Sequence, residues 1–348
     1  MNQLPPMPKP RPWWRRTDFF LVLLVVVVAA LVLRLYGGVS PAAPEILAAP
    51  YAEDAVQMGE PPLCRQVTDD MPESGPPVRF LMLNAENYFV AGEKQRSRYI
   101  NRPKPEAECE AVAEVIASEK PAIVGLIEIG GPLALDDLKR RLRDRGLDYP
   151  HCRVLARGGE DRALALLSRY PVVQDKSRAN YGLFGEQKRQ MLRGILDVTV
   201  RVEDGRMFRV LGVHLKSRVS EDSAATASLR TREARTLARY IQQEMKEQPG
   251  LPMVVYGDFN DGPQDAAVRL LVQGMTGESA LKRLSPKDSR NEEWTLYYQR
   301  GRAYNTFDHI LVNAPMKKRM KRGAASGIVD IPSSRKASDH RAIWCDLR

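Results

Sequence analysis

From Val78 onward the chain repeats one arrangement, a short apolar run followed by a longer polar or amphipathic stretch. Strands are predicted at Val78–Leu83, Ala122–Ile127, Ala163–Leu167, Ile195–Val202, Phe208–Val213, Met253–Tyr256, Phe307–Val312 and Ala342–Cys345. Helices are predicted at Glu106–Ser118, Leu133–Arg145, Ala224–Glu247 and Gln264–Leu271. Pro103 and Pro105 suit entry into the first helix, and Lys120-Pro121 ends it. Alternation of this kind, with several strands also adjacent in sequence, restricts the chain to a mixed α/β fold.

The strands end in polar residues that packing does not require. The first runs into Asn84-Ala85-Glu86-Asn87, the second ends on Glu128, and the fifth on His214-Leu215-Lys216-Ser217. Met253–Tyr256 opens into Gly257-Asp258-Phe259-Asn260, Asp308 and His309 open the next strand, and Ser338-Asp339-His340 precedes the last. Singly these have ordinary readings: Asn84 or Glu128 as a loop cap or solvated charge, His214 as a structural histidine, Gly257–Asn260 as a turn. Together they place carboxylates, amides and imidazoles at one sheet edge. Oxygen donors there suit a hard cation such as Mg²⁺, which polarises a phosphoryl oxygen, and a His-Asp pair can hold an imidazole protonated.

The ordered set resembles the endonuclease/exonuclease/phosphatase superfamily, which includes deoxyribonuclease I, abasic-site endonucleases, neutral sphingomyelinases and inositol-polyphosphate phosphatases. The resemblance spans residues 78–348 and is most specific at Gly257–Asn260 and Ser338–His340. It implies a four-layer α/β sandwich of two packed mixed sheets with helices outside. By resemblance, Glu128 is the principal metal ligand, with Asn84 beside it and Asp339 sharing the ion. Asp258 orients or deprotonates the attacking water and Asn260 holds the scissile phosphate. His340 stabilises the transition state with Asp308 orienting its ring, and His214 takes the place of a second active-site histidine. Glu86 stands where some relatives have an acidic residue. Ile127 precedes Glu128 where relatives often carry Gln, but the ligand itself is retained. Mg²⁺ is the implied cofactor, with Mn²⁺ or Ca²⁺ as alternatives.

The first 77 residues differ in kind. A Pro-rich basic tail (1–18) precedes Phe19 to Leu33, in which every residue is apolar, and Leu35-Tyr36 extend this run past Arg34. That is about 18 residues, near the lower limit for crossing a bilayer. The basic front, Trp13-Trp14 and Tyr36 predict a signal anchor over 19–36 with a cytoplasmic N-terminus. The expected location is the inner membrane of the cell, single-pass, with the remainder exported; a cleaved signal peptide is the alternative. Residues 37–77, rich in Pro, read as a linker. Up to Leu63 there are five basic and five acidic residues, so the whole net charge of +10 falls beyond it. That excess favours polyanionic partners, or else only solubilises the surface. All four cysteines (Cys64, Cys109, Cys152, Cys345) lie past the span, where disulfides are permitted but their pairing is open.

Further candidates carry alternatives. Arg193 meets a phosphate or caps a strand edge, Tyr181 is a weaker phosphate candidate, and the basic run Met316–Lys321 grips a polyanion or is a solvated face. Trp294 through Tyr304 resembles the aromatic-basic segment of extracellular bacterial nucleases, or is a hairpin packing aromatics on the core. The expectation is a membrane-anchored, metal-dependent nuclease acting on DNA or RNA outside the cytoplasm. A phospholipid or sphingolipid phosphodiesterase, a phosphatase, and a non-catalytic binding module are the alternatives.

Overall fold

A computed structural model of the protein describes residues 75–92, 102–158, 162–219, 222–320 and 325–348. The expected tail, span and nearly all of the linker lie outside these residues, and no described helix is long and apolar enough to cross a membrane. The described residues fall within one unit, Glu60–Arg348. In chain order they form β1 (Val78–Tyr88), α1 (Glu106–Glu119), β2 (Ile123–Ile129), α2 (Pro132–Arg143), β3 (His151–Leu155), β4 (Ala163–Ser168) and β5 (Val172–Asp175). Next come β6 (Gly182–Leu183), β7 (Glu186–Gln190), β8 (Leu196–Arg201), β9 (Met207–His214), α3 (Ser223–Glu247), β10 (Met253–Asp258) and α4 (Ala266–Gln273). The remainder is β11 (Leu281–Arg283), β12 (Leu296–Tyr298), β13 (Ala303–Asn305), β14 (Asp308–Asn313), α5 (Ala314–Arg319), β15 (Ser326–Ile328), α6 (Ser334–Ala337) and β16 (Ile343–Leu347).

Two six-stranded mixed sheets result, ordered β15-β16-β1-β2-β4-β3 and β11-β14-β10-β9-β8-β5. The period of two along each strand decides the layering. Phe80 and Met82 of β1, with Val254 and Tyr256 of β10, join a cluster between the sheets. Leu81 and Leu83 face the other way, onto Val112 and Ile116 of α1. Val255 likewise meets Leu237 and Ile241 of α3. The layers therefore run helix, sheet, sheet, helix, as the resemblance implied.

One ring shows how closely the sheets fit. Tyr256 reaches across to the first sheet, donating its hydroxyl to the Ala165 carbonyl at 2.9 Å and packing 5.3 Å from the Phe80 ring. A Cβ on Gly125 would fall 2.4 Å from Tyr256, and one on Gly212 would fall 2.6 Å away. Glycine at both positions opens the slot the ring fills.

Each sheet contains one parallel pair, β1 with β2 and β9 with β10. Parallel neighbours need a crossover, which α1 and α3 supply. Their carboxyl ends thus lie together at one edge of each sheet, where α/β proteins commonly bind ligands. Antiparallel β14 brings its first residue to the same edge, with Asp258 paired to both Asp308 and His214.

The predicted strands and helices are all present, with boundaries shifted by a few residues. The alternation did not disclose β3, β5 or the short hairpin β6–β7. Trp294 to Tyr304 does contain a hairpin, β12–β13, but Tyr298 and Tyr304 remain 43% and 62% exposed, so these aromatics do not pack on a core. Met316–Arg319 lies within α5, and Lys321 is outside the described residues. Cys109, Cys152 and Cys345 are free thiols, and Cys64 also lies outside the described residues.

Candidate active site

The edge where the parallel strands end holds six of the expected residues in one buried cluster, Asn84, His214, Asp258, Asn260, Asp308 and His340, with half-buried Glu128 beside them. β1 kinks after Asn84, because Glu86 and Asn87 adopt left-handed backbone (φ 47° and 53°). Glu128 (φ 61°) makes a bulge at the end of β2, and Asn260 (φ 51°) follows β10. Left-handed backbone is strained for residues with a Cβ, and four such residues here re-aim side chains toward one point.

Asp258 is at the centre. Its Oδ1 accepts from the Asn260 amide at 2.8 Å and its Oδ2 from Asn84 Nδ2 at 3.2 Å. The Nε2 atoms of His214 and His340 face that same Oδ2 at 3.6 and 3.9 Å. Those separations exceed hydrogen-bond length, so neither Nε2 is tied up by Asp258. Asn260 donates its side-chain amide to the Leu215 carbonyl at 3.1 Å.

His340 is held from three sides. Its Nδ1 pairs with Asp308 Oδ2 at 2.7 Å, and its backbone amide donates to Ser338 Oγ, which donates to the Asn84 carbonyl. Burial disfavours a charged His340 ring, but the Asp308 carboxylate outweighs it, with help from Asp258 and Asp339, and raises the pKa well above 6.5. His214 behaves oppositely: burial, reinforced by Arg193 and Arg162, lowers it well below 6.5. The two surroundings thus favour a charged His340 and a neutral His214. Burial, with Asp308 and Glu128 nearby, also raises the Asp258 carboxyl despite His340.

Glu128 divides its oxygens. Oε2 accepts from the Asn87 amide at 3.3 Å and from Arg162 Nε at 3.0 Å, while Oε1 faces His214 Nε2 at 3.8 Å. Asp339 lies at the exposed rim, its amide donating to Glu86 Oε2 at 2.9 Å. Partial desolvation, together with a neighbouring carboxylate in each case (Asp339 beside Glu86, Glu128 beside Asp339), raises both carboxyls.

Ligating atoms of Asp258, Asp308 and His340 lie within 4.8 Å of one another. Within this group His340 Nδ1 is already paired with Asp308 Oδ2 at 2.7 Å. The ligands implied by the resemblance, Glu128, Asp339 and Asn84, offer only oxygen, the donor type a hard divalent cation prefers, and the Asn84 Oδ1 also accepts from the Glu86 amide at 3.1 Å.

Arg193 is buried and its charge acts on His214. Tyr181 packs edge-on against Tyr240, 5.4 Å between centroids, and among the described residues no contact joins it to the cluster. Two supporting residues escaped sequence reasoning. Arg162 also donates to Asn87 Oδ1 at 2.8 Å. Glu233 of α3, fully buried, accepts from the amides of Leu192 and Lys216, tying together the segments that carry Arg193 and His214.

Comparison with known proteins agrees with this architecture. Residues 107–340 match the model of the Endonuclease/Exonuclease/phosphatase family. The fold is similar to an endonuclease/exonuclease/phosphatase from Bacteroides vulgatus (17% identity, 79% of this chain, 99% of that one, TM-score 0.57). It is also similar to D. rerio TDP2 complexed with a single-strand DNA product (16%, 79% and 100%, 0.53). A third is sphingomyelinase C from Streptomyces griseocarneus (18%, 79% and 100%, 0.53). No curated protein gives a significant sequence match. With two thirds of its length matched and a buried acidic and histidine cluster in place, the chain belongs to the endonuclease/exonuclease/phosphatase family and is a metal-dependent phosphoesterase.

Proposed function

We propose that the protein is a phosphodiester hydrolase acting on DNA or RNA. The observation that carries the chemistry is the convergence of the His340 and His214 Nε2 atoms on one oxygen of Asp258, in surroundings that favour a charged His340 and a neutral His214. Asp258, whose raised pKa makes it a stronger base than a free carboxylate, takes the proton of the attacking water. Asn260 orients the scissile phosphate, with Arg193 adding positive charge beside it. His340 stabilises the charge that builds on phosphorus oxygens and the leaving group, and Asp308 keeps its ring charged and aligned. His214, neutral, donates one hydrogen bond to the phosphate. Glu128, Asn84 and Asp339 would hold a divalent cation, Mg²⁺ first, with Mn²⁺ or Ca²⁺ as alternatives. When bound, such a cation polarises a phosphoryl oxygen.

Nucleic acid is favoured by the +10 net charge, all of it beyond Leu63, and by the fold shared with a TDP2 that holds DNA. The apolar run 19–36 supports a membrane anchor, with residues 78–348 outside the cytoplasm. Similarity to a sphingomyelinase supports the second reading, a lipid-headgroup diesterase. The tip of the β12–β13 hairpin, Gln299-Arg300-Gly301-Arg302, is polar and ill suited to enter a bilayer, which places that reading second.

The test is hydrolysis by full-length protein in detergent, with Mg²⁺ or EDTA, of DNA, RNA, a phosphomonoester and sphingomyelin. Mg²⁺-dependent cleavage of nucleic acid, lost in Asp258→Ala, is expected. Release of phosphocholine with intact DNA and RNA would replace this reading with the second.

A further inference from the structure

Beside the reactive cluster lies a hollow of 820 Å³, whose wall includes Trp294, Tyr297 and Tyr304 and which reaches Asp339. That volume is within the range of small-molecule sites. From this hollow we infer a subsite in which a nucleobase next to the scissile phosphate stacks on the β12–β13 aromatics; the inference rests on the nucleic-acid reading above.

The wall is fixed to the reactive residues. Tyr297 donates its amide to the Asp339 carbonyl at 3.1 Å, and the Arg341 amide donates to the Thr295 carbonyl at 2.7 Å. Thr295, buried, accepts at its Oγ1 from the amides of Phe307 and Asp308, both at 3.1 Å. The aromatic strand pair is thus tied to the residues on both sides of His340 and to the start of β14.

The rings form a stacking surface rather than a core. Tyr304 lies 4.8 Å from both Trp294 and Tyr297 by centroid, yet it is 62% exposed. Exposed contiguous aromatic surface marks a ligand-binding face. Planar bases stack on such rings whatever their sequence, and a nearby guanidinium adds to it.

Charge selects among aromatic-loving ligands. A quaternary ammonium, the headgroup of choline lipids, also prefers aromatic walls. Here the Arg341 guanidinium already sits 4.1 Å over the Trp294 ring, anchored to Asp288 at 3.0 Å and Asp330 at 3.4 Å. Arg290 and Arg335 add two further cations to the lining. Against two lining carboxylates, Asp330 and Asp339, the three arginines leave the hollow net positive, which disfavours a choline and favours the phosphates that flank a base.

The experiment uses full-length protein and short oligonucleotides with one phosphodiester among methylphosphonate linkages. The nucleoside 5′ or 3′ of that diester is replaced in turn by an abasic unit. Wild type should lose roughly tenfold in kcat/KM when the base on one side is removed, the scale of a single base–aromatic stack. Tyr304→Ala should erase that discrimination, and Tyr304→Phe should keep it, because the ring and not the hydroxyl does the stacking. Wild type that cleaves these substrates without discriminating on either side overturns the subsite alone, and so does Tyr304→Ala that still discriminates. Wild type that cleaves no nucleic acid but releases phosphocholine from sphingomyelin vesicles overturns the nucleic-acid reading and the subsite with it.

Discussion

Asp308 Oδ2 and His340 Nδ1 are 2.7 Å apart, and both side chains are buried. The carboxylate overrides the effect of burial and raises the ring's pKa well above 6.5, with its Nε2 turned toward Asp258. Asp308→Asn preserves shape but removes the charge, and an amide can stabilise the wrong tautomer. The expected result is a fall in kcat of about 10²–10⁴, by analogy with other orienting carboxylates, with KM changed much less. Steady-state kinetics on the best substrate decide it. A kcat within twofold of wild type would remove the pair from the chemistry.

Glu128 presents one oxygen, because Arg162 and the Asn87 amide hold the other. Substitution Glu128→Gln keeps the volume and takes away the negative charge a hard cation needs. Isothermal titration of full-length protein with Mg²⁺ should show affinity at least about tenfold weaker, the low end of what merely supporting residues contribute. Affinity equal to wild type would move the ion to another set of donors.

Gly125 in one sheet and Gly212 in the other make the slot for Tyr256. A methyl at either position meets ring atoms at 2.4–2.6 Å, far inside contact distance. Gly125→Ala and Gly212→Ala should each destabilise by about 1–3 kcal/mol in urea denaturation, the usual range for overpacking. Combining Gly125→Ala with Tyr256→Leu should cost less than the two changes summed, because the smaller side chain vacates the slot. Additive effects would show that the ring is not what the methyl strikes.

Much of this architecture was legible in the chain because burial on both faces leaves continuous apolar runs, as in β1, β2, β9 and β10. β3 lies at an edge with Cys152 and Arg153 exposed, and β7 (Glu186–Gln190) contains no apolar residue, so neither carries the periodic signal. Asn84, Glu128, Asp258, Asp308 and His340 could be read because each is a polar residue bordering an apolar run. Arg162 and Glu233 could not. Arg162 begins no recognisable motif, and Glu233 is one acidic residue on a long charged helix. Their importance comes from which backbone amides and carboxylates the tertiary fold sets beside them.

Far from that edge, Arg209 is fully buried and paired with Asp197 and Glu244, the latter at 2.7 Å, while Lys176 reaches Glu244 at 2.8 Å. Burial alone would raise the Glu244 carboxyl, but Arg209 and Lys176 outweigh it and hold it below its usual 4.5. A depressed native pKa means that the unfolded chain binds the proton first as pH falls. The stabilisation is therefore complete above about pH 4.5 and is lost as pH falls through the lower native value. Glu244→Gln should reduce stability by about 2 kcal/mol at pH 7, the scale of a hydrogen bond to a charged group. Below pH 4.5 the gap between variant and wild type should narrow in urea denaturation. A gap that stays constant down to pH 3 would mean that the charge of Glu244 does not stabilise this network, leaving only its shape.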